Sequence, residues 1–205
     1  MSTPNMHIGL VGPMPPPFGG MANQTKQLQN LLQQEGVSVE LIRVNTPYQP
    51  NWVAGLRGLR AVFRLVPYLI HLWRAANKVQ LFHIMANSGW AWHLYAAPAI
   101  WIAELKRNPI IVNYRGGEAA VFFQKSFFWV KPSLMKTDLI IVPSGFLEGV
   151  FEERGFASSI VPNIIDLSRF SAEVELVVSD VYKKSSPHIV VTRNLESIYD
   201  NATAI

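Results

Sequence analysis

Cysteine is absent from this 205-residue chain, so no disulfide framework, thiolate nucleophile or cysteine-based zinc site can form. Charge is sparse as well. Asp, Glu, Lys and Arg make up 16% of the residues against 49% hydrophobic ones, the reverse of the balance that keeps a chain disordered. Histidine is scattered over His7, His71, His83, His93 and His188, with no HExxH or HxH spacing, and a metal site is not expected. Acidic residues are missing altogether between Glu40 and Glu104. The same stretch carries Arg43, Arg57, Arg60, Arg64, Arg74 and Lys78, so the net charge of +4 is concentrated there. A basic region of this kind favours anionic partners such as lipid headgroups or phosphorylated ligands.

The uncharged run 84–103 has the length to span a bilayer. Asn87, Ser88 and Gly89 break its first part, and His93 and Pro98 interrupt the rest. A strand end, a turn and a buried helix are therefore expected instead. Trp90, Trp92, Tyr95 and Trp101 fall at helical spacing and are read as core. The first residues carry no basic segment followed by an apolar one, so no signal peptide is expected. Without one, the Asn-x-Thr triplets at Asn23 and Asn201 are read as unmodified.

What is present is an alternation of short β-branched runs with longer helical stretches. Strands are expected at 7–12, 37–44, 79–84, 109–113, 138–142 and 159–161. Helices are expected at 21–35, with Gly36 as its left-handed stop, across 51–77 with a break or kink at Pro67, at 90–107, and up to Arg154 with Gly155 as the stop. Strand–helix–strand units in succession predict an α/β fold: a Rossmann-like, doubly wound parallel sheet. Residues 1–170 make this domain and 171–187 a polar linker. A new strand and helix start fill 188–205, too little to bury an apolar face alone.

Two glycine-pair loops follow strands and therefore belong on the carboxyl edge, where open α/β sheets bind ligands. The first is GPMPPPFGG, ending at Gly19 and Gly20. Its prolines stiffen the approach, and the helix that follows aims its positive end at the same place. It lacks the Gly-Lys-Ser/Thr of a Walker loop and the GxGxxG of a dinucleotide site. The second is Asn113-Tyr114-Arg115-Gly116-Gly117-Glu118. Here Arg115 offers a planar guanidinium to an oxygen-rich ligand, and Glu118 either acts as a base or pairs with Arg115. Gly19, Gly20, Tyr114, Arg115, Gly116, Ser144 and Asn163 are the candidate substrate-binding residues, with Arg115 and Glu118 as catalytic candidates. Arg57, Arg60, Arg64, Arg74 and Lys78 recur at helical spacing and form a candidate membrane-surface face. Aromatics do not interleave with these charges as a stacking platform requires, so nucleic acid is not expected.

The ordered segments PPPFGGMANQTKQL, LFHIMANSGWAW, IIVNYRGGEA, DLIIVPSGFLEGVFEERGF, IVPNIIDLSRF and PHIVVTRNLESIYDNATAI run through nearly the whole chain. In this order they resemble the N-terminal half of the family 4 retaining glycosyltransferases of the GT-B fold, followed by the first strand and helix start of the C-terminal half. The resemblance implies an acceptor-side domain facing a second domain that binds a nucleotide-activated sugar, a UDP- or GDP-sugar, with no metal. It implies transfer of a hexose to a polysaccharide or lipid-linked acceptor, in the cytoplasm or peripherally on the inner face of a membrane. Gly19 and Gly20 would lie near the donor phosphates and acceptor, and Arg193 would contact the donor diphosphate. Arg115 stands where many members carry a histidine. The lysine that often follows the diphosphate arginine is absent, and the E-x7-E region is not in this chain, so the isolated chain is expected to be inactive. No DxD motif supports a metal-dependent transferase fold. The alternative is a non-catalytic Rossmann-like module acting at a membrane surface or with a partner protein.

Overall fold

The structure, a computed structural model, describes residues 6–47 and 59–165. Expectations that rest on 166–205, including the linker, the second strand–helix unit and Arg193, lie outside the described residues, as does Arg57. Six strands form one sheet in the order β2-β1-β3-β4-β5-β6. They are β1 His7–Gly12, β2 Ser38–Arg43, β3 Leu81–Ala86, β4 Ile110–Tyr114, β5 Leu139–Val142 and β6 Ser159–Ile160. Every neighbouring pair is parallel. The α/β, Rossmann-like class is therefore the observed one.

The connecting helices are α1 Gly20–Gln34, α2 Leu59–Ala75, α3 Ala97–Leu105, α4 Ala119–Leu134 and α5 Gly145–Glu152. The β1-to-β2 step runs in the opposite direction to all later ones. Right-handed crossovers then place α1 on one face and α2 to α5 side by side on the other. α2 packs on α3, α3 on α4 and α4 on α5, as that arrangement requires. The main core lies between this helical layer and the sheet. Leu72, Ile100, Phe123, Leu134 and Phe151 meet Ile84, Ile110, Val112 and Val142 there, all within a few per cent of full burial.

Several boundaries differ from the sequence reading. β3 begins two residues later than expected because Lys78 and Val79 still bond back to Ala75 of α2. α2 runs unbroken through Pro67; only one backbone donor is lost there, and packing of Tyr68 and Leu72 on the core holds the helix. α4 had no sequence signal beyond its aromatics. Neither a side-chain cap nor an acidic first turn marks it, so burial of Phe122, Phe123, Val130 and Leu134 makes the helix. The stops at Gly36 and Gly155 are as expected, with φ of 77° and 78°.

Residues 84–103 resolve into the end of β3, a turn, and a helix that opens with the π-helical turn Trp92–Ala96. The Tyr68 hydroxyl donates to the Tyr95 carbonyl of that turn at 2.7 Å. Pro98, which has no N–H, lies just beyond it. Of the four aromatics expected in the core, Trp92 is fully buried and Tyr95 partly so, while Trp90 and Trp101 are exposed. Among the described residues no helix is long and apolar enough to cross a membrane.

A polar rim on the carboxyl edge of the sheet

The loop from β1 to α1 is clamped from the neighbouring strand. Asn45, just past β2, accepts from the Met14 amide at 2.9 Å and donates to the carbonyls of Met14 at 2.6 Å and Pro16 at 3.3 Å. Helix α1 then starts with no side-chain cap, its first bond running from the Asn23 amide to the Gly19 carbonyl at 2.9 Å. The amides of the first turn are thus unpaired within the helix, and the dipole adds partial positive charge at the same end. A side chain at Gly19 or Gly20 would meet nothing within 4 Å. Both glycines face open space.

Across the sheet, Arg115 leaves the end of β4 with a half-buried guanidinium. Its Nε donates to Asn113 Oδ1 at 2.8 Å. Its Nη1 approaches Gln24 Oε1 of α1 at 3.4 Å and bonds to Asn163 Oδ1 beyond β6. The Gln24 amide also accepts from the Ile164 N–H and donates to the Ile164 carbonyl, both at 2.9 Å. One polar cluster therefore joins α1, β4 and the segment after β6. Gln24 lies one helical turn from Gly20, so the two glycine-pair corners share a rim.

Behind the rim, Asn113 Nδ2 lies 3.0 Å from His83 Nε2 of β3. Because Asn113 Oδ1 already accepts from Arg115, its amide nitrogen faces the imidazole, and His83 Nε2 must accept. Burial, with the Arg115 charge as the smaller cause, holds His83 down at about 4, so the ring stays neutral with its proton on Nδ1. Burial also lowers the Arg115 pKa, leaving the group a cation at neutral pH. Among the described residues Arg115 has no carboxylate partner, and its Nη2 has no protein acceptor.

The other candidates fall out unevenly. Glu118 is exposed and does not pair with Arg115, so the salt-bridged turn is not formed. Gly116 is required sterically: an added Cβ would stand 2.8 Å from both the Ser88 amide nitrogen and Asn87 Oδ1. Tyr114, one of the candidate substrate-binding residues, has its side chain fully buried between Trp92, Phe123 and Phe151. Its hydroxyl bonds Ser88 at 2.8 Å, and burial raises its pKa to about 12. It is a core residue that fixes the β3 loop. Ser144 is exposed at the start of α5 with its hydroxyl free of the helix. Gln24, Asn45 and His83 were not singled out from sequence, and Asn113 entered only as the first residue of the second loop. A polar residue ending the apolar strand run PIIVN was the one available signal, and it pointed at Asn113.

The basic face of α2 is divided. Arg64 lines a pocket of about 210 Å³ with Arg43, Tyr68 and His71, and His71 pairs with Glu40 at 2.9 Å. Arg74 and Lys78 are exposed. The described α2 begins at Leu59, and the Arg60 side chain lies outside the described residues. Among the described residues no group of three or more His, Asp or Glu side chains could hold a metal ion.

A parallel α/β sheet flanked by helices, with a polar rim holding Arg115 on its carboxyl edge, defines a Rossmann-like domain. The family profile of Glycosyltransferase Family 4 matches residues 18–169, from the first glycine corner to just past Asn163. The chain belongs to that family. No curated protein of known function matches it.

Proposed function

We propose that this chain supplies the acceptor side of a hexosyl transfer from a nucleotide sugar, a UDP- or GDP-sugar, to a polysaccharide or lipid-linked acceptor. One observation carries the reading. Arg115 is held in place by neutral acceptors from three elements, with no acidic partner among the described residues. Its charge is left for a ligand. Together with the uncapped start of α1 it would stabilise negative charge on a departing diphosphate or on an anionic acceptor. Gly19 and Gly20 leave room for a ligand to approach the protein backbone, and Ser144 and Asn163 offer further polar contacts on the same edge.

In this reading residues 1–170 are the N-terminal half of a retaining GT-B enzyme, and 188–205 begin the donor-binding half, where Arg193 meets the diphosphate. Turnover in this reading needs both halves together. Glu118, exposed at the start of α4, is the candidate base. A lipid-linked acceptor would place the protein peripherally on the inner face of a membrane.

Turnover of UDP- and GDP-hexoses is measured for the 205-residue chain and for the chain extended by a donor-binding domain of the same family. Only the extended form turns over, and Arg115→Gln lowers that turnover about a hundredfold, in line with losing a charge-stabilising donor, while the variant remains folded at the assay temperature. Turnover by the 205-residue chain alone overturns the division of labour. Full activity in Arg115→Gln overturns the role of the rim.

A further inference from the structure

The outer helical layer does not look like an ordinary solvated surface. On α2, Val62, Val66, Ile70 and Trp73 recur at spacings of four, four and three, and their exposures are 53%, 48%, 47% and 43%. They form one solvent-facing apolar stripe. The buried stripe of the same helix, Tyr68, Leu72 and Ala75, points the other way. α2 is thus apolar on two faces, with Arg74 on the border of the outer one.

The stripe continues onto the neighbouring helices. Trp101 and Leu105 of α3 are 46% and 67% exposed, and Phe128 and Trp129 of α4 are 79% and 71% exposed. Between α2 and α3 lies an apolar groove of about 450 Å³, lined by Leu69, Ile70, Trp73, Arg74 and Ile102. Lysines bridge one helix to the next. Lys106 Nζ sits 4.0 Å from the Trp73 ring centre, and Lys136 Nζ sits 5.0 Å from that of Trp101. Lys125 and Lys131 flank the Phe128–Trp129 pair on α4 and are exposed. Glu104, bonded to Lys136 at 3.0 Å, is the only acidic residue within α2, α3 and α4.

We infer that the outer face of α2, α3 and α4 docks on an anionic lipid bilayer. Exposed apolar surface on this scale marks an interaction site, and its charge identifies the occupant. A second copy would bring one lysine-rich face against another, whereas anionic headgroups supply the missing negative charge. The side-chain types suit the water–hydrocarbon boundary. Indoles settle at headgroup level, aliphatic side chains enter the acyl region, and lysines seated on tryptophan rings can extend to phosphates. The contact surface thereby moves from the basic residues of α2 alone to three helices, with Trp73, Phe128 and Trp129 as anchors. It rests on the proposed function only for its setting, a lipid-linked acceptor.

The full 205-residue chain is sedimented with vesicles of phosphatidylcholine alone and of equal parts phosphatidylcholine and phosphatidylglycerol. The expected result is binding to the mixed vesicles that weakens with added salt. The exposed pair Phe128→Ser/Trp129→Ser binds about tenfold more weakly or worse, while melting like the parent. Lys125→Glu/Lys131→Glu loses the preference for anionic lipid. Equal binding to both vesicle types, or unimpaired binding by the aromatic pair variant, overturns the inference. So does a concentration-dependent dimer, seen by ultracentrifugation, that the same variant abolishes. Arg115→Gln keeps vesicle binding whether or not it loses turnover, so failure of the docking surface and failure of the transferase reading are told apart.

Discussion

Acidification should unlock the rim through His83. Its imidazole is held at about 4 by burial and by Arg115, against about 6.5 in an unfolded chain. Between those values the unfolded chain takes up a proton that the folded chain refuses, so stability is lost as pH falls through that window. From about pH 7.5 to about pH 4.5 the loss worked from these two values is about 2.5 kcal/mol. For a chain of this size that is roughly 5–10 °C in Tm. The structural event is specific. Protonated His83 can no longer accept from Asn113 Nδ2, so the amide must turn, and its nitrogen then faces Arg115. The assay is thermal unfolding across that range for the parent and for His83→Gln, whose amide can accept the same bond but does not titrate. The parent should lose about 2.5 kcal/mol more than the variant. Parallel curves for the two proteins would refute the reasoning.

Two further predictions concern the scaffold. Gly116→Ala should destabilise the fold by about 1–3 kcal/mol, because its Cβ meets the backbone of the β3 loop, whereas Gly117→Ala, with nothing within 4 Å, should stay within about 0.5 kcal/mol; denaturant titration of both decides it. Asn45→Ala removes the three bonds that clamp the proline loop and should cost about 1–3 kcal/mol, with faster amide exchange at Met14 as the local readout. A Met14 amide that exchanges no faster would show the loop is held by its prolines alone.

The sheet was legible because parallel strands read as short apolar runs between glycine stops, and β1 falls on 7–12 as expected. Helix α4 was not, because its aromatics carry no helical signal until β4 and β5 give Phe123 and Phe151 somewhere to meet, 5.1 Å apart. The site divides in the same way. Arg115 and the glycine corners stand beside recognisable strand ends. Gln24 is one of several glutamines along α1, and nothing local marks it as the residue that meets both Arg115 and Ile164. That meeting depends on the β1, β4 and β6 edges being level, which pairing across the whole sheet decides. The break expected at Pro67 does not occur, because a missing donor is a local cost while the helix is kept by what lies beneath it.

Gln24 grips the backbone of Ile164 with both ends of its amide while the same oxygen steadies Arg115. The exit of the polypeptide from the sheet is thereby stitched to the residue that would greet a ligand. A displacement of residues 163 and 164 would therefore carry Gln24 and Arg115 with it.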